Sequence, residues 1–329
     1  MIEIPVIHKT DIFNVSKGSF DALALQIFRY QVHLNPVFAQ FVQNLGVNPL
    51  QITCLEEIPF LPVSFFKTHH IYCGKQQPEA VFTSSGTTGT VTSSHAVAQL
   101  HLYETSFMRA FEQFYGPVQQ YAILALLPAY LERSGSSLVY MANALIRQSG
   151  QADSGFFLTA QGVLLQTLRQ REAIGAKSLL LGVSFALLDF AEQHAMPLKH
   201  TIVAETGGMK GRRREITRME LHEQLCAAFG LQAIHSEYGM TELLSQAWSA
   251  GNGRYQCPPW MRVYVRAEDD PRIMKTFGTG LLCVADLANL YSCSFIETQD
   301  IGHLYPDGSF EVLGRLDYSD IRGCSLLAL

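Results

Sequence analysis

A short run of small and hydroxylated residues is the first feature of this sequence that could take part in chemistry. The run follows an apolar segment at 80–83 and reads Thr83, Ser84, Ser85, Gly86, Thr87, Thr88, Gly89. Hydroxyls and backbone N–H groups of such a loop can surround a phosphate, and glycines let the main chain approach it closely. Because no Lys follows the second glycine, the loop is not of the Walker A type. A surface loop without a ligand is the open alternative.

A second run combines two carboxylates, a hydroxyl and an aromatic ring within six residues, Glu237-Tyr238-Gly239-Met240-Thr241-Glu242. Glu242 could hold Mg²⁺, which prefers a few carboxylates together with phosphate oxygens. Thr241 could bind a phosphate oxygen, and Tyr238 offers a flat face to a base. The alternative is an ordinary turn from a strand into a helix, with Thr and Glu as helix caps.

Two further polar positions could bind or react. Asp300 is followed at short range by Gly314-Arg315-Leu316-Asp317, and an acidic side chain of this kind can bind ribose hydroxyls. Surface ion pairing is the alternative for it. Ser184 lies in a near match to the nucleophile elbow of hydrolases, although Ala186 stands where that motif has its last glycine.

Composition limits the classes of protein to which this chain could belong. Of its 329 residues, 48% are hydrophobic and only 16% are charged, which excludes disorder. The net charge is 24 − 29 = −5, so no basic balance favours nucleic acid or an anionic membrane as partner. The seven cysteines contain no C-x-x-C pair, so a zinc ribbon has no support.

Neither a secretory leader nor a membrane span is expected. The first ten residues lack a charged segment followed by an apolar one. The longest apolar stretch, 121–131, contains Pro128 and is much shorter than the roughly 20 residues that cross a bilayer. These features predict a cytoplasmic protein with reduced thiols.

The secondary-structure elements that must position these residues alternate along the middle of the chain. Helices are expected after Ser19 and after Asn35-Pro36, and an irregular extended stretch is expected at 57–67. Strands are then expected at 80–83, 121–127, 177–182 and 201–204, and helices at 96–114, 136–148, 185–194 and 216–229. Such alternation predicts a largely parallel sheet covered on both faces. Shorter strands follow at 262–266, 280–285 and 310–313, with a turn at 305–308.

The expected domain organisation is one large domain over 1–329. It would comprise a helical portion at about 1–75, an α/β core at about 76–260 and a β-rich portion at about 261–329. No internal repeat and no linker-like composition marks a boundary between them.

The hydroxylated loop, the 237–242 run, Asp300 and the 314–317 run occur in the order found in adenylate-forming enzymes. Within that superfamily the chain resembles the acyl-protein synthetases of bacterial bioluminescence, and more distantly the phenylacetate–CoA ligases. The segments 58–67 and 322–326 are also similar to the synthetases, so the resemblance covers about residue 20 to the end. It implies an α/β protein with the large N-terminal domain of the adenylate-forming, acyl-CoA synthetase-like fold.

The resemblance also implies a role for each matching residue. The loop from Thr83 to Gly89 would surround the phosphates of ATP, and Gly207 and Gly208 would lie near the adenine. Tyr238, with Gly239 beside it, would flank the adenine. Thr241 would contact phosphate and Glu242 would bind Mg²⁺. Asp300 would hold the ribose, with Arg315 nearby.

The implied activity is that of an AMP-forming acid–thiol ligase. A carboxylate, expected to be that of a fatty acid, attacks the α-phosphate and gives acyl-AMP and pyrophosphate, which requires alignment and charge stabilisation. In the synthetases, a cysteine near the C-terminus then carries the acyl group to a partner protein, a reductase or a carrier. Here that residue is Cys324, beside Arg322, whose charge favours the thiolate. A buried structural cysteine in a final strand is the alternative.

One departure from the superfamily pattern raises other possibilities. The larger enzymes continue past the Gly-Arg-x-Asp run into a small domain of about a hundred residues, which carries a lysine that assists adenylation. Few residues follow Asp317 here and none is Lys, so the small domain is expected to be absent, with Lys210 as one possible substitute. The competing hypotheses are a nucleotide-binding scaffold with weak or no catalysis, and an α/β-hydrolase-type acyltransferase that uses Ser184.

Overall fold

The computed structural model describes residues 5–75, 77–84, 91–128, 135–207, 216–266 and 274–316. The chain divides into two compact units. The terminal unit takes its described residues from 5–78, 95–98 and 259–316, and the central unit from 79–94 and 99–258. The expected division of one domain into three portions stays a prediction.

The described helices and strands are numbered in chain order. The helices are α1 Lys9–Phe13, α2 Phe20–Leu34, α3 Pro36–Asn44, α4 Phe65–Thr68, α5 Leu100–Tyr115, α6 Ser137–Ser149, α7 Gln161–Ala173, α8 Ser184–Gln193 and α9 Arg218–Phe229. The strands are β1 Leu61–Pro62, β2 Ala80–Thr83, β3 Ser94–Val97, β4 Ala122–Leu126, β5 Gly155–Phe156, β6 Ser178–Val183, β7 Thr201–Thr206, β8 His235–Tyr238, β9 Ala247–Ser249, β10 Met261–Arg266, β11 Met274–Lys275, β12 Gly278–Asp286, β13 Phe295–Leu304 and β14 Phe310–Arg315. None of the described helices has the length and apolar character needed to cross a lipid bilayer.

The central unit is built on a sheet with the strand order β5-β4-β6-β7-β8-β9. The first five strands are parallel, and β9 runs antiparallel to β8. Every residue of β4 and β6 is buried, as expected of parallel strands that are covered on both faces. The pairs Leu126–Gly182, Val183–Thr206 and Thr206–Glu237 show that β4, β6, β7 and β8 end at one edge.

Helices cover both faces of this sheet. Successive strand residues point to opposite faces, and their contacts identify what lies there. The Ser236 hydroxyl lies 3.4 Å from His222 Nε2 in α9. Trp248, the strand partner of the next residue, Glu237, packs edge-on against Phe111 of α5. The predicted α/β architecture is therefore confirmed.

Local sequence signals account for several helix starts. The Asn35 side chain accepts hydrogen bonds from the N–H groups of Val37 and Phe38, with Pro36 as the first helical residue of α3. Ser136 caps α6, and Thr217 forms a capping box with Glu220 at the start of α9. These side chains satisfy N–H groups that have no partner inside the helix.

Other expectations were wrong, for identifiable reasons. The helix expected from residue 96 begins at Leu100, because Ser94–Val97 forms β3. The 57–67 stretch is not wholly irregular, since it contains β1 and leads into the one-turn helix α4. The hydroxyl of Ser19 bonds the N–H of Ser16 instead of capping α2.

The terminal unit contains a sheet in the order β1-β13-β12-β10-β11, with β14 beside β13. Strand β1 is parallel to β13, and the other pairs are antiparallel. The loop between β12 and β13 is held by Gln31 of α2, which is fully buried. Its Nε2 donates to Asn289 O, Leu290 O and Ser294 Oγ at 2.9–3.0 Å, and its Oε1 accepts from Ser294 N at 2.9 Å.

Replacing Gln31 with leucine should destabilise the protein strongly. The leucine side chain fills a similar volume but leaves buried carbonyl and N–H groups unpaired, at a cost of about 2–4 kcal/mol. Gln26→Leu, at an exposed position of the same helix, should change the free energy of unfolding by less than about 0.5 kcal/mol. Urea unfolding of both variants makes the comparison, and equal effects would contradict the assigned role.

Candidate active site

The hydroxylated loop is anchored where it begins and where it returns. At the end of β2, Thr83 donates its N–H to Gly135 O at 2.8 Å. Ser84 N donates to Ser93 O at 3.0 Å, and Ser93 N donates to Ser84 Oγ at 3.0 Å. These bonds bring the two ends of the loop together next to Gly135, which precedes the first turn of α6. Ser85, Gly86, Thr87, Thr88 and Gly89 lie outside the described residues.

Aromatic packing holds the strand that leads into this loop. The Phe82 side chain is buried, with its ring centroid 5.5 Å from that of Tyr103 and 5.6 Å from that of Tyr140. Tyr103 OH donates to Ser137 O at 2.9 Å, and Tyr140 OH donates to Glu104 Oε1 at 2.6 Å. Helices α5 and α6 are thus tied to each other and to the residue preceding Thr83.

Gly207 forms a turn directly after β7 and is fastened to the next helix. Its φ of +68° lies in the left-handed region that favours glycine. The Ser184 hydroxyl, at the first residue of α8, hydrogen-bonds to the Gly207 carbonyl and lies 3.2 Å from Glu205 Oε2. The turn is therefore held from one side by a buried side chain. The neighbouring Gly208, and Lys210 beyond it, lie outside the described residues.

The surroundings of Ser184 do not match those of a hydrolase nucleophile. In a catalytic triad a histidine contacts the serine and a carboxylate orients that histidine. Here the Glu205 carboxylate lies between Ser184 and a histidine, because its other oxygen, Oε1, is 3.7 Å from His222 Nε2. Within the described residues no histidine hydrogen-bonds to Ser184. The side chain connects two turns of the sheet edge, which is a structural role.

Glu205 is the centre of a buried polar cluster on the α8–α9 face of the sheet. In addition to Ser184 and His222, Arg218 is close to this carboxylate, with its Nε 3.7 Å from Glu205 Oε1. The Arg218 guanidinium lies 5.3 Å from the centre of the Tyr255 ring. Burial, and then the Glu205 carboxylate, raise the pKa of Tyr255 far above its usual value. Tyr255 therefore stays a neutral phenol beside the ion pair.

The 237–242 run passes from β8 into a tight turn and then into β9. Tyr238 ends β8, with its ring centroid 5.7 Å from that of Tyr255, and Leu243 N donates to Met240 O at 3.1 Å. No helix follows the turn in the described chain, so the alternative of a strand-to-helix turn is wrong. Thr241 and Glu242 lie within the turn itself.

Glycine is required at position 239 for space. A Cβ atom there would lie 2.5 Å from Glu237 Oε1 and 3.3 Å from Gln246 Cγ. The Glu237 carboxylate is held in place because Thr206, next to Gly207, hydrogen-bonds to its Oε2. Thr206 and Glu237 are strand partners. The turn after β7 and the turn after β8 are therefore connected by side chains as well as by the sheet.

The donor set around Glu242 fits a cation that binds through phosphate oxygens. Glu242 is buried to 93%. In the described part of the chain, no three His, Cys, Asp or Glu side chains form a group that could hold a metal alone. Mg²⁺ is usually bound by one or two carboxylates plus substrate phosphates. A single carboxylate, Glu242, near the edge where β4, β6, β7 and β8 end is consistent with this kind of binding.

In the terminal unit, the structure pairs Asp300 with Arg315 across β13 and β14. Arg315 Nε lies 3.8 Å from Asp300 Oδ1, and Asp300 N donates to Thr298 Oγ1 at 3.0 Å. The Asp300 side chain is 15% exposed and that of Arg315 is 68% exposed. An ion pair of this kind contributes little to stability. Cys324 lies outside the described residues.

Sequence reasoning found the turns but not the side chains that hold them. Glu205, Thr206 and Glu237 flank the residues singled out from the sequence, yet nothing in their types showed which face of the sheet each would occupy. Only the register of β7 against β8 shows that Glu205 points to one face, and Thr206 and Glu237 to the other.

No family model matches the chain. A curated relative, the long-chain-fatty-acid–luciferin-component ligase of Vibrio harveyi, is 23% identical over 323 residues, covering 91% of this chain and 84% of the relative. By its name the relative is a ligase. The resemblance inferred from the order of the motifs is thereby confirmed.

Solved structures extend this likeness to the whole fold. A 2-hydroxyisobutyryl-CoA ligase, solved in the postadenylation state with an acyl-AMP, matches 95% of this chain and 72% of its own, with a TM-score of 0.66 and 12% identity. This chain has the adenylate-forming fold. ATP-bound MatB from Rhodopseudomonas palustris matches 72% of this chain with a TM-score of 0.54 and 17% identity. The chain spans about half of that protein, 48%.

Changing Gly239 to alanine should distort this edge. The added methyl group must displace the Glu237 carboxylate, and overpacking of this kind costs about 1–3 kcal/mol. Gly162→Ala, in α7, meets no atom within 4 Å and should stabilise by up to about 1 kcal/mol because it reduces the entropy of the unfolded chain. Chemical denaturation of both variants measures the difference, and a neutral Gly239→Ala would refute the proposed close contact.

Proposed function

We propose that this chain activates a carboxylic acid with ATP, forming an acyl-adenylate and releasing pyrophosphate. The observation that supports it best is the convergence of three features at one edge of the central sheet. These are the root of the hydroxylated loop at Thr83, the Gly207 turn and the turn from Tyr238 to Glu242. The second and third features follow β7 and β8, and the first is anchored on Gly135, just before α6. Ligands of open parallel sheets bind at the carboxyl ends of the strands.

The chain would bind the nucleotide with main-chain groups of these turns. The loop from Thr83 to Gly89 would surround the phosphates, and Gly207 and Tyr238 would border the base. Glu242 would hold Mg²⁺, which neutralises phosphate charge when bound. The ribose role of Asp300 stays a prediction, as do the contacts of Gly208, Gly239 and Arg315.

The chain's own contribution to rate would be positioning. Attack of a carboxylate on the α-phosphate needs no general acid or base, but it needs both groups held in line. Hydrogen bonds of Ser184 and Thr206 lie on opposite faces at the carboxyl end of β7, so the Gly207 carbonyl and the Glu237 carboxylate have defined positions. A rigid edge of this kind lowers the entropy cost of alignment.

For the acid and its acceptor, the curated relative offers the first hypothesis. Its name specifies a long-chain fatty acid and a luciferin component. We extend this to a fatty acid as the first candidate substrate, with transfer through a thioester on Cys324 to an acyl-accepting partner protein. A reductase or a carrier would suit that acceptor.

Exchange of labelled pyrophosphate into ATP tests the activation step. Wild-type protein should show exchange that depends on an added carboxylic acid and on Mg²⁺. Glu242→Gln should lower the exchange rate by about 100-fold or more, since it removes a charge that stabilises the transition state. Glu223→Gln, at an exposed position of α9, is the matched control and should retain the wild-type rate.

The same exchange measurement tests the competing hypothesis that the chain is a nucleotide-binding scaffold with weak or no catalysis. If ATP binds but no fatty, aryl or amino acid supports exchange, the chain binds nucleotide without turnover. If exchange occurs and Glu242→Gln leaves it unchanged, the metal role of Glu242 is wrong although the activity is present.

Acyl transfer to Cys324 can be tested separately with a radiolabelled acid and ATP. A protein-bound label that hydroxylamine removes should form on the wild-type chain and be lost in Cys324→Ser. Cys54→Ser, which changes a thiol that is exposed in the structure, should keep the label. Retention of the label by a folded Cys324→Ser protein would assign the thioester elsewhere.

A further inference from the structure

One face of the β8–β9 pair is covered by α5 and carries an unusual set of polar groups. Tyr238 pairs with Ala247, so Gly239 lies opposite Gln246, and residues two apart on each strand share a face. Glu237, Gly239, Gln246 and Trp248 therefore lie together. The short distances from a Cβ at Gly239 to Glu237 and Gln246 agree with this arrangement.

Helix α5 packs on this face along its length. Near the middle of the helix, Ser106 Oγ lies 2.9 Å from Ser245 Oγ. Farther along, the rings of Phe111 and Tyr115 meet Trp248 edge-on, with centroids 6.5 and 5.3 Å away. Burial, and then the nearby Glu237 carboxylate, raise the pKa of Tyr103 in the same helix. The face is thus shielded from solvent.

Two hydrogen-bonding atoms on this face are buried without a partner. They are the side-chain oxygen Oε1 of Gln246 and the indole nitrogen Nε1 of Trp248, in residues that are 3% and 2% exposed. No described residue donates to the first or accepts from the second. Native proteins contain few such atoms, because each loses its bond to water on folding and gains nothing in return.

The two atoms are chemically complementary and belong to residues on one face of the chain at β9. Trp Nε1 is only a donor, and the Gln246 amide presents an acceptor. The two residues are two positions apart, which is roughly 7 Å along a strand. Rotation of the Gln246 side-chain amide by 180° would place its NH₂ group where the oxygen is. A ligand hydroxyl can pair with either group, because it both donates and accepts hydrogen bonds.

Their location connects them to the candidate site. Gln246 lies against Gly239, in the turn that holds Tyr238 and Glu242. An acid whose carboxylate meets the nucleotide at this edge must place the rest of its structure within a few ångströms of the turn. Gln246 borders that place through its contact with Gly239, and the two unpaired atoms are suited to a polar group of the acid.

We propose that the acid activated by this chain carries a hydroxyl or amide group that hydrogen-bonds to Gln246 Oε1 and Trp248 Nε1. This assignment rests on the proposed function and narrows its substrate class from any fatty acid to one with a polar substituent. A site built to bond such a group discriminates against the acid that lacks it, because its own polar atoms would then stay unpaired.

The test compares each hydroxy acid with its parent acid. Pyrophosphate exchange is measured with dodecanoate, butanoate and benzoate, and with their 2-, 3- or 4-hydroxy derivatives. At least one hydroxy acid should exceed its parent in kcat/KM by about tenfold or more. The preference should fall to near unity in Gln246→Met and in Trp248→Phe, which keep size but remove the hydrogen bond. Gln170→Leu, at an exposed position of α7, should keep the preference.

A second measurement separates this inference from the proposed function. Calorimetric titration of each acid, with a non-reactive ATP analogue present, should give tighter binding of the preferred hydroxy acid to wild type than to Gln246→Met. If no acid supports exchange, the proposed function fails, while this binding difference still supports hydrogen bonding of a hydroxy acid to Gln246. Equal use and equal binding of hydroxy and parent acids would overturn the inference.

Discussion

The parallel register of β4, β6, β7 and β8 brings four strand ends to one edge of the central sheet, and each candidate residue of that unit depends on it. Gly207 follows the end of β7, and Tyr238 is the end of β8. Gly135, on which Thr83 is anchored, lies in the segment that leads from β4 to α6. A shift of one residue in the register would exchange the two faces of a strand and separate these groups.

The last two side chains of β7, Glu205 and Thr206, form hydrogen bonds on opposite faces of the sheet and so hold its edge in place. Glu205 faces α8 and α9, where it meets Ser184, Arg218 and His222. Thr206 faces α5 and bonds Glu237. Glu205, Thr206 and Glu237 are themselves buried, so the loss of a partner would leave a buried carboxylate with less compensation. The turn at Gly207, which follows Thr206, is therefore held without a large side chain of its own, which leaves its backbone accessible to a ligand.

Much of the architecture could be predicted, because it depends on local signals. Continuous apolar runs marked β4 and β6, and Asn35-Pro36 marked the start of α3. The helix α7 was not expected, since its sequence has no clear apolar stripe. The long strand β13 was not expected either, because it mixes acidic, polar and apolar residues over Phe295–Leu304. Residues of β13 are buried by the strands that pair with it, and a local hydrophobic pattern does not reveal that pairing.

The candidate site was predictable at the level of turns and not at the level of side-chain contacts. The residue types of the loop and of the 237–242 run indicate phosphate and metal binding, whereas the partners of Glu205 and Glu237 come from distant parts of the chain. Gln246 gave no signal at all, because a glutamine four residues after Glu242 is unremarkable until its burial and missing partner are known. Nucleotide binding could therefore be predicted from residue types, whereas the proposed substrate preference depends on contacts that only the folded structure shows.

The central claim is that the strand ends around Gly207 and Tyr238 form the adenylate site. A crystal structure with a non-hydrolysable acyl-adenylate analogue tests it most directly. We expect electron density for the adenosine against the Gly207 turn and Tyr238, with the acyl group beside Gly239 and Gln246. Density for the analogue at any other place on the chain would contradict it.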